Sequence, residues 1–406
     1  MKTLEELYRD VLNRKISLKT PLPPEYEPFH LDCLLNPHNY APVIFNEPCE
    51  KCEYERACKN SCIFDAIEED KDGKLRINPN LCTGCAACIE ACKSKKITTG
   101  KDVLAAMKAV REAEGPSYVL AAPAFLGQFT KEATPGKLRT AFQALGFTGM
   151  VEVALMADVL TLKEALEFDR HVLKNGDYQL TSCCCPVWIS MIRRIYHELM
   201  PHVPGAVSPM IACGRMIKLL HPDAVTVFVG PCLAKKSEAR EPDIAGAVDY
   251  VLTFREIQDI FEAADIRPEE MADNEKEHSS RAGRIYARTG GVSEAVRETA
   301  EQLRPGRKIK VRPEQADGIP ACREMIKRIQ NKETEASFFE GMGCVGGPKV
   351  ILDRDTGRRY VNEYGKDAPF ATPLENPYVM KLLEESGFDT IEALVEKSDW
   401  LIRDLT

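Results

Sequence analysis

Hydrophobic and polar positions alternate in two rhythms along the 406-residue chain. Leu4, Leu7, Tyr8, Val11 and Leu12 recur at helical spacing, which predicts an amphipathic helix over residues 3–15. Pro21, Pro23 and Pro24 end it and open an extended connector. His30, His38 and Cys33 fall in that connector and read as ordinary surface or packing residues. From about residue 103, short apolar runs at 118–122, 149–155, 225–229, 248–253 and 308–312 read as strands. Helical patterns accompany them at 158–174, 187–199, 255–264, 292–303 and 320–331. Alternation of this kind predicts an α/β fold with mainly parallel sheets, whose ligands bind at the carboxyl ends of strands. Three stretches obey that geometry. Residues 178–181 run into Cys183-Cys184-Cys185, the strand ending at Val229 runs into Gly230-Pro231-Cys232, and 336–339 runs into Glu340-Gly341-Met342-Gly343-Cys344. One crevice with thiols from three loops is therefore expected. The alternative for Cys232 and Cys344 is that they are buried small residues. Cys213 and Cys322 lie within helical patterns and read as core.

Residues 45–100 break both rhythms. They carry Cys49-x2-Cys52-x5-Cys58-x3-Cys62, then Cys82-x2-Cys85-x2-Cys88-x3-Cys92. The second run has the bacterial ferredoxin spacing, in which three close thiolates wrap one cubane and the fourth reaches across to another. Two such runs predict two 4Fe–4S clusters, one on Cys49, Cys52, Cys58 and Cys92, the other on Cys82, Cys85, Cys88 and Cys62. The first run departs from the pattern in its longer middle gap, and Pro follows neither fourth cysteine. Zinc is the alternative for paired Cys-x2-Cys, but a crossed set of thiols alone favours iron–sulfur.

Composition then narrows the chemistry. Basic residues number 54 against 62 acidic, a net charge of −8 without a dense basic cluster, so neither nucleic acid nor an anionic membrane is expected as a partner. The N-terminal MKTLEELYRDVLNRK is charged throughout and does not read as a signal peptide, and no apolar run approaches the roughly 18 residues of a membrane span. Sixteen cysteines in such a chain predict reduced thiols in a cytoplasm, used for metal and not for disulfides. Cys183, Cys184 and Cys185 are consecutive, so their side chains diverge, and Pro186 stops a strand from continuing. A disulfide or an apolar turn is the structural alternative there. The chemical reading is thiolate ligation of an iron–sulfur centre, with a neighbouring thiol left for proton transfer.

Thr181-Ser182-Cys183-Cys184-Cys185-Pro186-x-Trp188, Gly230-Pro231-Cys232-x-x-Lys235-Lys236-Ser237-Glu238 and Glu340-x-Met342-x-Cys344-x-Gly346-Gly347 resemble the three signature motifs of FeFe-hydrogenases. Thr289-Gly290-Gly291-Val292-x-Glu294-Ala295 and Ala122-Pro123-Ala124 resemble segments lining that family's active site. The resemblance runs from residue 45 to about 365 in the family's order, and the additional cysteine of the first motif is similar to a less studied branch. The expected division is an N-terminal helix and connector (1–44), a bacterial-type two-cluster ferredoxin module (45–100), a hydrogenase domain with two lobes of mainly parallel sheet (101–370), and a helical tail (371–406).

The resemblance implies an H-cluster, a 4Fe–4S cubane joined through a cysteine sulfur to a diiron unit with CO, cyanide and an azadithiolate bridge. It implies Cys185, Cys232 and Cys344 as cubane ligands and Cys184 as the thiol that passes protons. Lys235 would hydrogen-bond an iron-bound cyanide, Pro123 and Ala124 would line the other cyanide, and Met342 would pack near the diiron unit. Glu164 and Glu167 match acidic relay residues; their i,i+3 spacing puts both on one helix face, which without the motif reads as a solvated face. Departures accompany the match. Where the family has a second cysteine in its third motif the chain has Pro348, so one expected thiolate is missing and Cys183 is the candidate substitute. Gly230 replaces a Met, Met210 stands where Gln is common, and Pro204 occupies a serine relay position. The implied function is anaerobic, reversible 2H⁺ + 2e⁻ ⇌ H₂, with ferredoxin or a similar electron carrier and hydrogenase maturation proteins as partners. The single third-motif cysteine supports instead a non-catalytic or weakly active iron–sulfur redox or sensor protein. An iron–sulfur assembly factor is the weaker third reading, because the eight-cysteine module fits an electron relay better.

Overall fold

A computed structural model describes residues 1–18, 20–47, 49, 52, 54–181, 184–274, 276, 278–344, 352–396 and 399–405. Strands β1 (Val43–Phe45), β2 (Ile67–Glu69), β3 (Leu75–Ile77) and β4 (Ile97–Thr99) form two antiparallel ribbons, β1 with β4 and β2 with β3. They are followed by β5 (Ser117–Ala121), β6 (Gly149–Glu152), β7 (Gln179–Leu180), β8 (Val225–Gly230), β9 (Tyr250–Thr253), β10 (Pro313–Asp317) and β11 (Phe338–Met342). These build one sheet in the order β6-β5-β8-β9 and another in the order β10-β11-β7, with every pairing parallel. Val119, Leu120, Val227, Val229 and Leu252 are buried, as expected of parallel strands covered by helices on both faces. In the larger sheet β5 connects outward to β6 and β8 to β9, so the chain reverses its order between β5 and β8. Crevices form at such switch points.

Helix Ala154–His171 joins the two halves. Its Val159 and Leu160 pack in the core of the larger sheet, while Ala157, Ala165 and Phe168 pack with Phe338 of β11. Buried on almost every side, it hides even Asp158, Lys163 and Glu164. Trp188, on helix Pro186–Arg194, lies on β11 where Gly341 leaves room: a Cβ there would stand 2.1 Å from Trp188 Cε3. The indole N–H donates to the Thr181 carbonyl at 3.2 Å, which fixes the start of the cysteine loop. Gly341→Ala is expected to destabilise the fold by about 1–3 kcal/mol through overpacking. Thermal denaturation checks this, and an unchanged midpoint would show that Trp188 has room to shift.

The structure corrects several expected elements. The predicted strand 308–312 is irregular; Val311 is buried among helices, and pairing with β11 starts at Pro313. A proline without an N–H is tolerated there because β10 is an edge strand. The strand expected to reach residue 155 ends at Glu152, since the long helix begins at Ala154. The helix over 187–199 stops at Arg194 and gives way to a 3-10 turn, His197–His202, containing Pro201. The connector is not extended: it holds helix Pro28–Leu35, with His30 and Cys33 buried. Leu4, Leu7 and Tyr8 at one end, and Val379, Leu383, Leu394 and Leu401 at the other, enter the core of the larger sheet. Among the described residues no helix is long and apolar enough to cross a membrane.

Candidate active site

The carboxyl ends of β5, β7, β8 and β11 open onto one cavity of about 1380 Å³. Pro123 and Ala124 enter it after β5, Cys184 and Cys185 after β7, Cys232 and Lys235 after β8, and Met342 and Cys344 at the end of β11. Neither Cys232 nor Cys344 is mere filler, since Cys232 is half-buried and Cys344 exposed. Cys183 and Pro348 lie outside the described residues. Cys185 is buried at the N-cap of helix Pro186–Arg194, and its sulfur accepts the Gly343 N–H at 3.2 Å. This bond ties the first motif to the third. Burial, reinforced by the facing Cys185, pushes the Cys232 thiol up to about 11, with Lys235 opposing. A thiol held that high becomes a thiolate only when a metal or another cation compensates its charge.

Lys235 is buried, which disfavours its charge, but Glu238 more than offsets this. The Glu238 Oε2 lies 2.6 Å from the ammonium. The pair spans i,i+3 on the short helix Ala234–Glu238, a spacing legible in the sequence although the motif alone gives Glu238 no role. Glu340 is fully buried and accepts the Gly290 and Ser293 N–H groups, each at 2.8 Å. Burial raises its pKa against those bonds. The carboxylate thus holds β11 to the N-terminus of helix Gly291–Leu303, a favoured place for negative charge. From this part of the chain Tyr286 and Ala287 line the cavity, while residues 289–293 do not; the Thr289 hydroxyl reaches the Met342 sulfur at 3.6 Å. Met210 and the start of helix Ile319–Gln330 complete the wall. Of these only Met210 stands out in the sequence, and only as a departure. Cys322 lies outside the cavity lining, its thiol directed at the Met342 carbonyl.

Glu164 and Glu167 do not line the cavity. Glu164 is fully buried and accepts a hydrogen bond from Gln179 of β7 at 2.8 Å, which excludes a solvated face for it. Glu167, one turn toward the surface, pairs with Lys163 at 2.8 Å and with His171 at 3.5 Å. Gln179, two residues before Thr181, is a site residue that the sequence reading misses; a polar residue inside an apolar strand is the available signal.

In the front module, the short helices Ala57–Asn60 and Ala87–Ala91 each follow a left-handed residue, Arg56 and Ala86, and carry Cys58 and Cys88. The long gap of the first run is absorbed by the turn at 54–56. Cys62, Cys82, Cys85 and Cys88 line one small pocket. Cys58 feels the charges of Cys92, Cys49 and Cys52. The thiols thus gather in two groups that exchange their fourth members. Among the described residues, no three such side chains converge closely enough to hold a single metal ion. Cys62→Ser and Cys92→Ser should each remove about four irons per chain, Cys62→Ser from the group of Cys82 and Cys92→Ser from that of Cys49. Cluster-resolved electron paramagnetic resonance checks the assignment, and losses in the opposite order would contradict it.

The family model for the C-terminal domain of the iron only hydrogenase large subunit matches residues 116–348. The NADP-reducing hydrogenase subunit HndD of Solidesulfovibrio fructosivorans is 26% identical, over 77% of this chain and 64% of that protein. Iron hydrogenase 1 of Clostridium pasteurianum is 29% identical, over 51% of this chain and 39% of that protein. The chain therefore spans under two thirds of the length of either relative. A solved FeFe-hydrogenase, studied for oxygen damage to its 2Fe subcluster, superposes with a TM-score of 0.62 at 20% identity, covering 74% of this chain and 98% of that one. That likeness speaks to the fold, whereas the family model covers more than half of the sequence. The chain belongs to the iron-only hydrogenase family, and the domain that places it there is the C-terminal one of the large subunit.

Proposed function

We propose that the protein is an FeFe-hydrogenase catalysing reversible 2H⁺ + 2e⁻ ⇌ H₂, with electrons relayed through two 4Fe–4S clusters from a ferredoxin-like carrier. The observation that supports this most is the convergence of Cys184, Cys185, Cys232, Cys344 and Lys235 on one cavity that also reaches Cys85 of the front module. The residues fit the cubane of an H-cluster: three thiols of separate strand ends face one space, and one of them already accepts a backbone N–H. When bound, such a group supplies the iron at which protons and hydrogen interconvert. Cys185, Cys232 and Cys344 would hold it.

The chain's own residues do the rest. Cys184 carries a proton at Sγ between the cavity and the protein interior. Glu164 and Glu167 carry protons on the surface side, Glu164 being oriented by Gln179. Lys235 presents a buried ammonium that Glu238 keeps charged, available to an anionic ligand in the cavity. Pro123, Ala124 and Met342 give the wall its shape and exclude water.

One feature favours the second reading, a weakly active or non-catalytic redox or sensor protein: Pro348 stands where the family's bridging cysteine would be. Hydrogen evolution by the matured protein from a reduced low-potential carrier separates the two. The hydrogenase reading expects turnover, and its absence in protein with full iron content would leave the sensor reading.

A further inference from the structure

Helix Ala234–Glu238 carries more than the motif lysine. Lys235 faces the cavity, but the next residue points the other way. Lys236 is fully buried and lies 2.9 Å from both Asp102 and Glu256. Asp102 directly follows the segment that closes the front module, and Arg240 meets its other oxygen at 3.0 Å while donating to the Tyr40 carbonyl at 2.7 Å. Glu256 also accepts the Asp102 N–H at 2.9 Å and caps helix Phe254–Ala263 through Thr253. Lys236, Asp102 and Glu256 are thus buried together, with Arg240 partly buried at their edge, and the four charges balance, the condition under which buried ions are tolerated. Ser237 then donates to the carbonyl of Cys82 at 2.9 Å. Gly84 closes the contact: a Cβ on it would meet Ala234 Cα at 3.0 Å, so the loop between Cys82 and Cys85 lies directly on this helix.

We propose that Lys236 and Ser237 are positioning residues that register the inner cluster of the front module, the one expected on Cys62, Cys82, Cys85 and Cys88, on the active-site cavity, Lys236 through its buried ion pairs with Asp102 and Glu256 and Ser237 through its bond to Cys82. The inference rests on the hydrogenase reading and deepens it. Cys232 and Lys235 precede these residues on the same loop and helix, so one rigid segment sets both the ligand geometry and the separation across which electrons enter. A buried salt bridge alone is weak support for stability, which makes registry the more economical role for this one.

The test uses the full-length matured protein and its Ser237→Ala, Ser237→Thr and Lys236→Met variants. Electron paramagnetic resonance of the reduced state reads the magnetic interaction between inner and third clusters, which weakens steeply with distance. Carrier-driven turnover reads electron entry. Ser237→Ala is expected to weaken the interaction and lower kcat severalfold with KM for the carrier unchanged, because the bond it removes lies inside the contact between the module and this helix. Ser237→Thr should restore both, and Lys236→Met should weaken both further. Unchanged magnetic interaction and kcat in Ser237→Ala, even beside a lower melting temperature, would overturn the proposal and leave a structural role. Should Lys236→Met fail to fold, Ser237→Ala and Ser237→Thr still decide. A wild-type protein lacking the third cluster would instead contradict the hydrogenase reading, and the registry role with it.

Discussion

Replacing Cys184 by alanine is expected to cut hydrogen turnover by about 10²–10⁴-fold, the contribution of a positioned general acid–base, while all iron is retained. Cys184 and Cys185 are neighbours in sequence but not in environment. Cys185 is buried at a helix N-cap and accepts a backbone N–H, as a ligand sulfur does. Cys184 is half-buried, packs between the cluster around Trp188 and Phe339 and the cluster around Ala165 and Phe338, and lies within electrostatic reach of Lys235. A thiol so placed connects the cavity to the helix that bears Glu164. Cys185→Ala should behave oppositely, losing the third cluster together with activity. Iron analysis and turnover of both variants check this; iron loss from Cys184→Ala would make it the ligand and shift the assignment by one residue.

The second large effect concerns the missing thiolate. Cys185, Cys232 and Cys344 would hold the cubane, whereas Pro348 offers no thiolate at the position of the family's second third-motif cysteine. Pro348→Cys restores Cys-x3-Cys after Cys344 and is expected to raise both diiron retention and turnover after identical maturation. Equal retention and turnover in both proteins would show that another residue, with Cys183 the first candidate, already provides the bridge.

What the sequence disclosed depended on whether the signal was local. Cysteine spacing is local, so the gathering of Cys62 with Cys82, Cys85 and Cys88 around one small pocket could be anticipated from it, whereas the turn at 54–56 could not. Parallel strands leave short apolar runs, and their loops delivered the thiols to one cavity as expected. Other features depend on distant partners. The alternation in 308–312 resembles a strand, but β11 is paired by Pro313–Asp317 instead, because tertiary packing buries Val311 elsewhere. Glu164 shares an i,i+3 face with Glu167 and so reads as solvated, whereas its burial depends on Gln179 of β7, which lies 15 residues away. Glu340 binds Gly290 and Ser293 across 50 and 47 residues of sequence, beyond the reach of any pattern. Lys236 sits within a recognisable motif, yet its partners Asp102 and Glu256 lie 134 and 20 residues away.

On the hydrogenase reading this cavity holds a hydrogen-converting diiron centre as well as a cubane. The most direct measurement is an infrared spectrum of the matured full-length protein, since metal-bound CO and cyanide absorb where protein does not. The hydrogenase reading predicts distinct CO and cyanide bands that shift on exposure to hydrogen. Full cluster content with no such bands would contradict it and leave an iron–sulfur redox protein on a hydrogenase fold.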